Sequence, residues 1–90
     1  MSAVRRRVRV HGDVQGVAFR DSTARRARQR GVAGWVANRA DGTVEAAFEG
    51  EPDAVDSLVE FARSGPSLAR VERVDVSEER PEGLSGFEVR

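Results

Sequence analysis

The apolar residues of this 90-residue chain are spaced at every second position in some stretches and at every third or fourth in others, and the order of these stretches restricts the possible folds. Within residues 4–10 the valines share one parity and most arginines share the other, which is the pattern of a half-buried strand. A helical pattern follows, with Ala24 and Ala27 on one face, and Gly31 marks its end. A second strand is predicted within residues 32–38, and Asp41-Gly42 predicts a hairpin turn into a third strand that ends at Gly50.

The second half of the chain continues with one more helix and two more strands. Pro52 suits the first turn of a helix that Gly65-Pro66 would end. Val71, Val74 and Val76 predict a fourth strand with a bulge, and residues 87–89 predict a short terminal strand. The order β-α-β-β-α-β predicts an α+β fold of the ferredoxin-like, split β-α-β type, with an antiparallel sheet and two helices on one of its faces. A chain of this length has material for one core, so residues 1–90 are predicted to form a single domain.

This topology has a consequence for where a site can form. A right-handed β-α-β crossover makes the first two strands parallel, with the third inserted antiparallel between them. The carboxyl ends of the first two strands then lie at the same edge of the sheet. The glycine-containing segment after Val10 and Asn38 at the end of the second strand are therefore expected to meet there, although they are far apart in sequence.

The segment that joins the first strand to the first helix is suited to binding an anion. Residues 10–20 have the sequence VHGDVQGVAFR. Such a loop can turn several backbone N–H groups inward, and the helix N-terminus adds a partial positive charge. The planar guanidinium of Arg20 matches two oxygens of a phosphoryl group. The alternative is an ordinary strand-to-helix turn with a surface arginine, and loop chemistry alone does not decide between the two.

Two motifs in the chain resemble the signatures of the acylphosphatase family. The first is the segment 10–20, and the second is GWVAN at residues 34–38 followed by DGTVE at residues 41–45 and by Gly50. The resemblance extends through residues 65–71 to residues 87–89. It implies hydrolysis of a small acyl phosphate to a carboxylate and inorganic phosphate, with Arg20 binding the phosphoryl group and Asn38 orienting the water. The implied phosphate-binding loop within residues 12–20 consists of Asp13, Val14, Gln15, Gly16, Val17, Ala18, Phe19 and Arg20. Asp13 departs from the family pattern and puts a negative charge on this loop.

The residues available for chemistry agree with such a reaction. A carboxylate leaving group has a pKa near ~4, so it needs no general acid at neutral pH. Phosphoryl transfer of this kind depends mainly on positioning and charge stabilisation. The chain has no cysteine and a single histidine, His11, whose parity places it on the sheet face opposite the valines. No metal-ligand spacing is present, so the chain is predicted to use neither a metal nor another cofactor.

Two other functions are known for domains of this general fold and make different demands on the sequence. An RNA-binding domain of the same fold needs exposed aromatic residues on the central strands, whereas Trp35 and Phe48 are predicted to be buried. Glu45 and Glu49 are expected to pair with the arginines of the first strand. A domain that binds phosphate or another anion without hydrolysing it stays open as an alternative.

The remaining predictions concern partners and location. Inorganic phosphate or sulfate should compete with the substrate, and Gln15 is expected to brace the loop. No binding to nucleic acid or to a membrane is expected, because no long apolar segment or signal peptide is present and the basic and acidic residues balance at 15 each. The protein is predicted to be a cytoplasmic monomer.

Overall fold

The strands and helices follow the predicted order. The computed structural model describes residues 2–90. The elements are β1 (Val4–Asp13), α1 (Phe19–Gln29), β2 (Ala33–Asn38), β3 (Val44–Gly50), α2 (Pro52–Ser64), β4 (Arg70–Glu79) and β5 (Phe87–Val89). The sheet order is β4-β1-β3-β2-β5. The first four strands in this order pair antiparallel, whereas β5 adds to the edge of β2 in parallel. The predicted ferredoxin-like α+β fold is confirmed.

The core lies between one face of the sheet and both helices. Because side chains alternate across a strand, Val8 and Val10 of β1 point into this core together with Phe48 of β3. The helix α1 contributes a face of small residues, and Ala24 and Ala27 are almost fully buried there. The other core side chains include Val36, Val44, Val55, Leu58, Val59, Ala62 and Phe87.

A β-bulge directs β1 into the loop that follows it. His11 pairs with Arg73 and Gly12 pairs with Val71, so Glu72 of β4 is the extra residue. The predicted bulge in β4 is therefore present. Gly12 has a φ of 128°, and a Cβ atom at this position would overlap the carbonyl oxygen of Arg70. Only glycine fits here, because both the backbone conformation and the close approach of β4 exclude a side chain.

Charged residues cover the other face of the sheet. The predicted cross-strand pairs are present: Arg5 pairs with Glu49 at 3.3 Å, and Arg7 and Arg9 lie 3.2 Å and 3.5 Å from Glu45. Trp35 is 5% exposed, as predicted for a buried residue, but it lies on this face and not in the helix-covered core. The parity of Trp35 along β2 explains this location. Three guanidinium groups cover the Trp35 ring, those of Arg7, Arg39 and Arg90, at 5.2, 5.4 and 4.8 Å from the ring centroid.

Glu49 connects this charged face to the segment that leads into β5. Its carboxylate accepts hydrogen bonds from the backbone N–H groups of Glu82, Gly83 and Leu84 at 2.9, 2.8 and 3.0 Å. Burial alone would raise the pKa of Glu49. These backbone hydrogen bonds, with help from Arg5, outweigh burial and hold the pKa below its ordinary value.

We expect this carboxylate to make the fold sensitive to acid. A carboxyl whose pKa is lowered by folding stabilises the protein above its unfolded-state pKa of about 4.3, and this contribution is lost as the pH falls through the lower folded-state pKa. Urea unfolding should therefore show a lower free energy of unfolding at pH 3 than at pH 6. Glu49→Gln should cost about 1–3 kcal/mol at pH 6 and flatten this pH dependence. The control Glu60→Gln changes an exposed carboxyl on α2, and an equal effect from both variants would contradict the prediction.

Candidate active site

The backbone of the loop between β1 and α1 has the geometry of an anion-binding nest. Gly16 and Ala18 have positive φ angles of 76° and 63°. Ala18 is the only non-glycine residue with positive φ among residues 2–90, so φ is negative at Val17 between them. Phe19 then begins the helix. This alternation in the sign of φ is typical of a nest, in which successive N–H groups point to one side and form a concave site for an anion.

The N-terminus of α1 adds further unpaired N–H groups to this site. The first helical hydrogen bond runs from the N–H of Ser22 to the carbonyl oxygen of Ala18, at 3.0 Å. The N–H groups of Phe19, Arg20 and Asp21 therefore have no helical acceptor. The first turn of α1 contains Asp21, and no side chain caps the helix. An uncapped helix N-terminus carries a partial positive charge that favours an anion.

Side chains on both sides of the loop fix it to the rest of the molecule. Val14 and Phe19 are 1% and 3% exposed, and the Phe19 ring lies 6.1 Å from that of Phe61 in α2. Gln15 points outward and donates from its side-chain amide to the carbonyl oxygens of Arg39 and Thr43, at 2.7 Å and 3.0 Å. The loop is thus held by the core and by the β2–β3 hairpin. These contacts support the left-handed conformation at Ala18, which costs energy for a residue with a Cβ atom.

Arg20 and Asn38 line the same small pocket beside this loop. The pocket has a volume of about 90 Å³, and its walls are formed by Val14, Gly16, Ala18, Phe19, Arg20, Asp21 and Asn38. We call it the anion pocket. Arg20 is half-buried, and its Nη1 donates to the backbone oxygen of Arg90 at 3.0 Å. Asn38 is also half-buried, at the end of β2 on the helix-facing side. Its side-chain amide makes no hydrogen bond with another group among residues 2–90.

Only some of the other predicted loop residues reach the anion pocket. Val14, Gly16, Ala18 and Phe19 line the anion pocket, whereas Asp13, Gln15 and Val17 do not. Asp13 is exposed at the end of β1, where its backbone lies opposite that of Arg70 in the antiparallel pairing with β4. Its negative charge therefore lies outside the pocket lining.

Two contributors to the pocket region were missed by sequence reasoning. Asp21 lines the pocket. Its position in the sequence, directly after Arg20 at the start of a helix, could have indicated this. The backbone oxygen of Arg90 orients Arg20 from 70 positions away, and nothing in the sequence indicated this contact.

The single histidine lies away from the anion pocket. His11 Nε2 is 2.9 Å from Asp75 Oδ2, on the charged face of the sheet, as its parity predicted. Within residues 2–90, no three His, Asp or Glu side chains are grouped so that they could hold a metal ion. None of the helices in this part of the chain is long and apolar enough to span a membrane.

These features define a class of protein: a ferredoxin-like α+β domain with a small pocket beside a glycine-containing loop at one sheet edge. Comparison with known proteins identifies the family. The family model described as Acylphosphatase matches residues 6–89. The chain is 56% identical over 89 residues to the acylphosphatase of Thermococcus kodakarensis, covering 99% of this chain and 98% of that protein.

Solved structures give the same result. The acylphosphatase of Coxiella burnetii superposes with a TM-score of 0.93 at 39% identity, covering 98% of this chain and 93% of that one. The acylphosphatase of Bacillus subtilis gives a TM-score of 0.92 at 40% identity, with coverages of 97% and 98%. The chain therefore belongs to the acylphosphatase family, and the resemblance of its two motifs to that family is confirmed. The predicted enzyme class, an acylphosphatase, is confirmed with it.

Proposed function

We propose that the anion pocket is the catalytic site and that it hydrolyses acyl phosphates without a metal ion. The N–H groups of the loop 12–20 and the guanidinium of Arg20 hold the phosphoryl oxygens, while Asn38 orients the attacking water. The observation that carries this proposal is the nest geometry of Gly16 to Ala18, which opens onto the same pocket as Arg20 and Asn38. A site of fixed donors needs no reorganisation when negative charge redistributes in the transition state.

The proposed reaction is attack of water on phosphorus. The bond between the water oxygen and phosphorus forms while the bond between phosphorus and the acyl oxygen breaks. The electron pair leaves with the acyl oxygen as a carboxylate, and the water proton passes to solvent. Because the carboxylate is stable at neutral pH, no side chain has to donate a proton to it. The pocket needs only to position the reactants and to stabilise charge.

Asn38 is suited to orienting the water because its amide is not used to stabilise the fold. Its side-chain carbonyl can accept a hydrogen bond from the water, which fixes the direction from which the water attacks. The residue lies at the end of a central strand, and its backbone pairs with Val44 of β3. A rigid strand end holds the amide more precisely than a mobile loop would.

The charged face of the sheet supports an enzyme over an RNA-binding domain. Arg5, Arg7 and Arg9 are paired with carboxylates, and Trp35 is covered by guanidinium groups. An RNA-binding face of this fold would need exposed rings for base stacking.

The predicted competition by inorganic phosphate or sulfate would take place at the proposed catalytic site. Monomeric state and cytoplasmic location stay predictions from the sequence.

Substrate selectivity tests the proposal directly. We expect the purified protein to release phosphate from acetyl phosphate, and to act at least about 10²-fold more slowly on glycerol 3-phosphate, because an alkoxide leaving group needs a general acid that the pocket lacks. Activity on acetyl phosphate should be the same with and without EDTA. Phosphate release at steady state measures both. Comparable rates on the two substrates, or loss of activity with EDTA that Mg²⁺ restores, would contradict the proposed mechanism.

A further inference from the structure

A second concavity adjoins the anion pocket, in the groove between α1 and the edge strand β5. Its volume is about 500 Å³, and it is lined by Asp21, Ala24, Arg25, Arg28, Gln29 and Val89. We call it the α1–β5 groove. The helical residues follow the spacing of a single helix face. Asp21 lines both the anion pocket and this groove, so the two are neighbours at the N-terminus of α1.

The anion pocket itself is too small for a whole substrate. Its volume of about 90 Å³ accommodates a phosphoryl group and water, so the acyl part of a substrate must extend outside it. The α1–β5 groove is the larger space beside it. We infer that this groove is the acyl subsite and that it favours acyl phosphates whose chain ends in a second anionic group, such as a carboxylate. This inference rests on the proposed hydrolysis of acyl phosphates.

The chemistry of the groove supports this substrate class. Val89, which is 39% exposed, provides apolar surface for a short carbon chain. Arg25 and Arg28 provide the positive charge. Arg28 donates one hydrogen bond from Nη2 to the carbonyl oxygen of Phe87, at 2.9 Å, which fixes its position. Arg25 is exposed and forms no ion pair or hydrogen bond with another side chain among residues 2–90, so its donors are available to a ligand.

The distances along α1 match a short dicarboxylic chain. Asp21 lies where the anion pocket and the groove adjoin. Arg25 lies one turn, about 6 Å, further along the same helix face, and its side chain leans back toward the N-terminus. With three carbon–carbon bonds of about 1.5 Å, an extended four-carbon acyl chain spans roughly 4 Å between its end carbons. Its terminal carboxylate can pass Asp21, which would repel it, and reach the guanidinium of Arg25.

The experiment compares succinyl phosphate with butyryl phosphate. These substrates have the same four-carbon chain and differ at its end, where succinyl phosphate carries a carboxylate. We expect kcat/KM to be higher for succinyl phosphate, and the ratio of the two values to fall about three- to five-fold in Arg25→Gln, as for loss of one solvent-exposed ion pair. Charge reversal in Arg25→Glu should lower the ratio further. The change should appear mainly in KM and shrink as salt is added.

The control is Arg30→Gln, at the C-terminal end of the same helix and outside the lining of the groove. It makes the same change in net charge, so a long-range electrostatic effect would lower the ratio in both variants, whereas a local contact lowers it in Arg25→Gln alone. An unchanged ratio in both Arg25 variants, or an equal fall in Arg30→Gln, would overturn the inference and leave the proposed function standing. Failure of the wild-type protein to hydrolyse either substrate would overturn the proposed function, and the inference with it.

Discussion

Replacement of Arg20 by lysine is expected to lower kcat/KM for acetyl phosphate by roughly 10³-fold, as for loss of a preorganised group that stabilises charge in a transition state. Lysine keeps the positive charge but has no planar fork, so it cannot donate to two phosphoryl oxygens in a fixed geometry. It also cannot keep the contact with the backbone oxygen of Arg90 and face the pocket in the same way. Inhibition by inorganic phosphate should weaken in parallel, because Arg20 binds the ground state and the transition state alike.

The matched control for this variant is Arg30→Lys, which makes the same chemical change at an exposed position directly after the same helix. Thermal unfolding of both variants separates a binding effect from a change in the position of β5. If Arg20→Lys kept near-native activity and near-native inhibition by phosphate, Arg20 would not be the phosphoryl ligand.

The fold was predictable because its elements are encoded locally. The alternation of valine and arginine in β1 and the Asp41-Gly42 turn each act over a few residues, and the handedness of the crossover then limits the topology. The position of β5 was not predictable in this way. Three residues form this strand, and the segment before it is held by Glu49, near the end of β3, which accepts hydrogen bonds from the backbone of residues 82–84.

The meeting of Arg20 and Asn38 in one pocket was predictable, but the geometry of the loop beside them was not. Spacing and family resemblance indicated Arg20 and Asn38, and topology explained why they meet. The left-handed conformation of Ala18 was not foreseen, since alanine has no preference for positive φ. It follows from tertiary contacts, because burial of Val14 before the turn and Phe19 after it leaves the loop few conformations. Long-range packing therefore determines the nest, and the local sequence does not reveal it.

The contacts that order the loop also explain why the groups around the pocket can have separate roles. In the proposed mechanism, backbone groups and Arg20 bind the anion, and both are fixed by contacts that do not involve Asn38. The amide of Asn38 is thus free to act on the water alone. Removing the amide should then affect the reaction without affecting anion binding, and this separation can be measured.

Asn38→Ala is expected to lower kcat for acetyl phosphate by about 10²-fold or more, which corresponds to roughly 3 kcal/mol. The inhibition constant for inorganic phosphate should stay near the wild-type value, since the amide interacts with the water mainly on the way to the transition state. The free energy of unfolding should change by less than about 0.5 kcal/mol, because no hydrogen bond to another described residue is lost. Steady-state kinetics with phosphate as inhibitor, together with urea unfolding, measures all three quantities.

Asn38→Asp provides the matched comparison, because it keeps the shape of the side chain and adds a negative charge beside the phosphoryl site. A carboxylate there repels the anion, so this variant should lose phosphate affinity as well as turnover, whereas Asn38→Ala should lose turnover alone. The contrast between the two variants shows which partner the amide contacts. Normal turnover in Asn38→Ala with a collapse of phosphate binding would mean that Asn38 holds the phosphoryl group, and that the water is oriented by another group in the pocket.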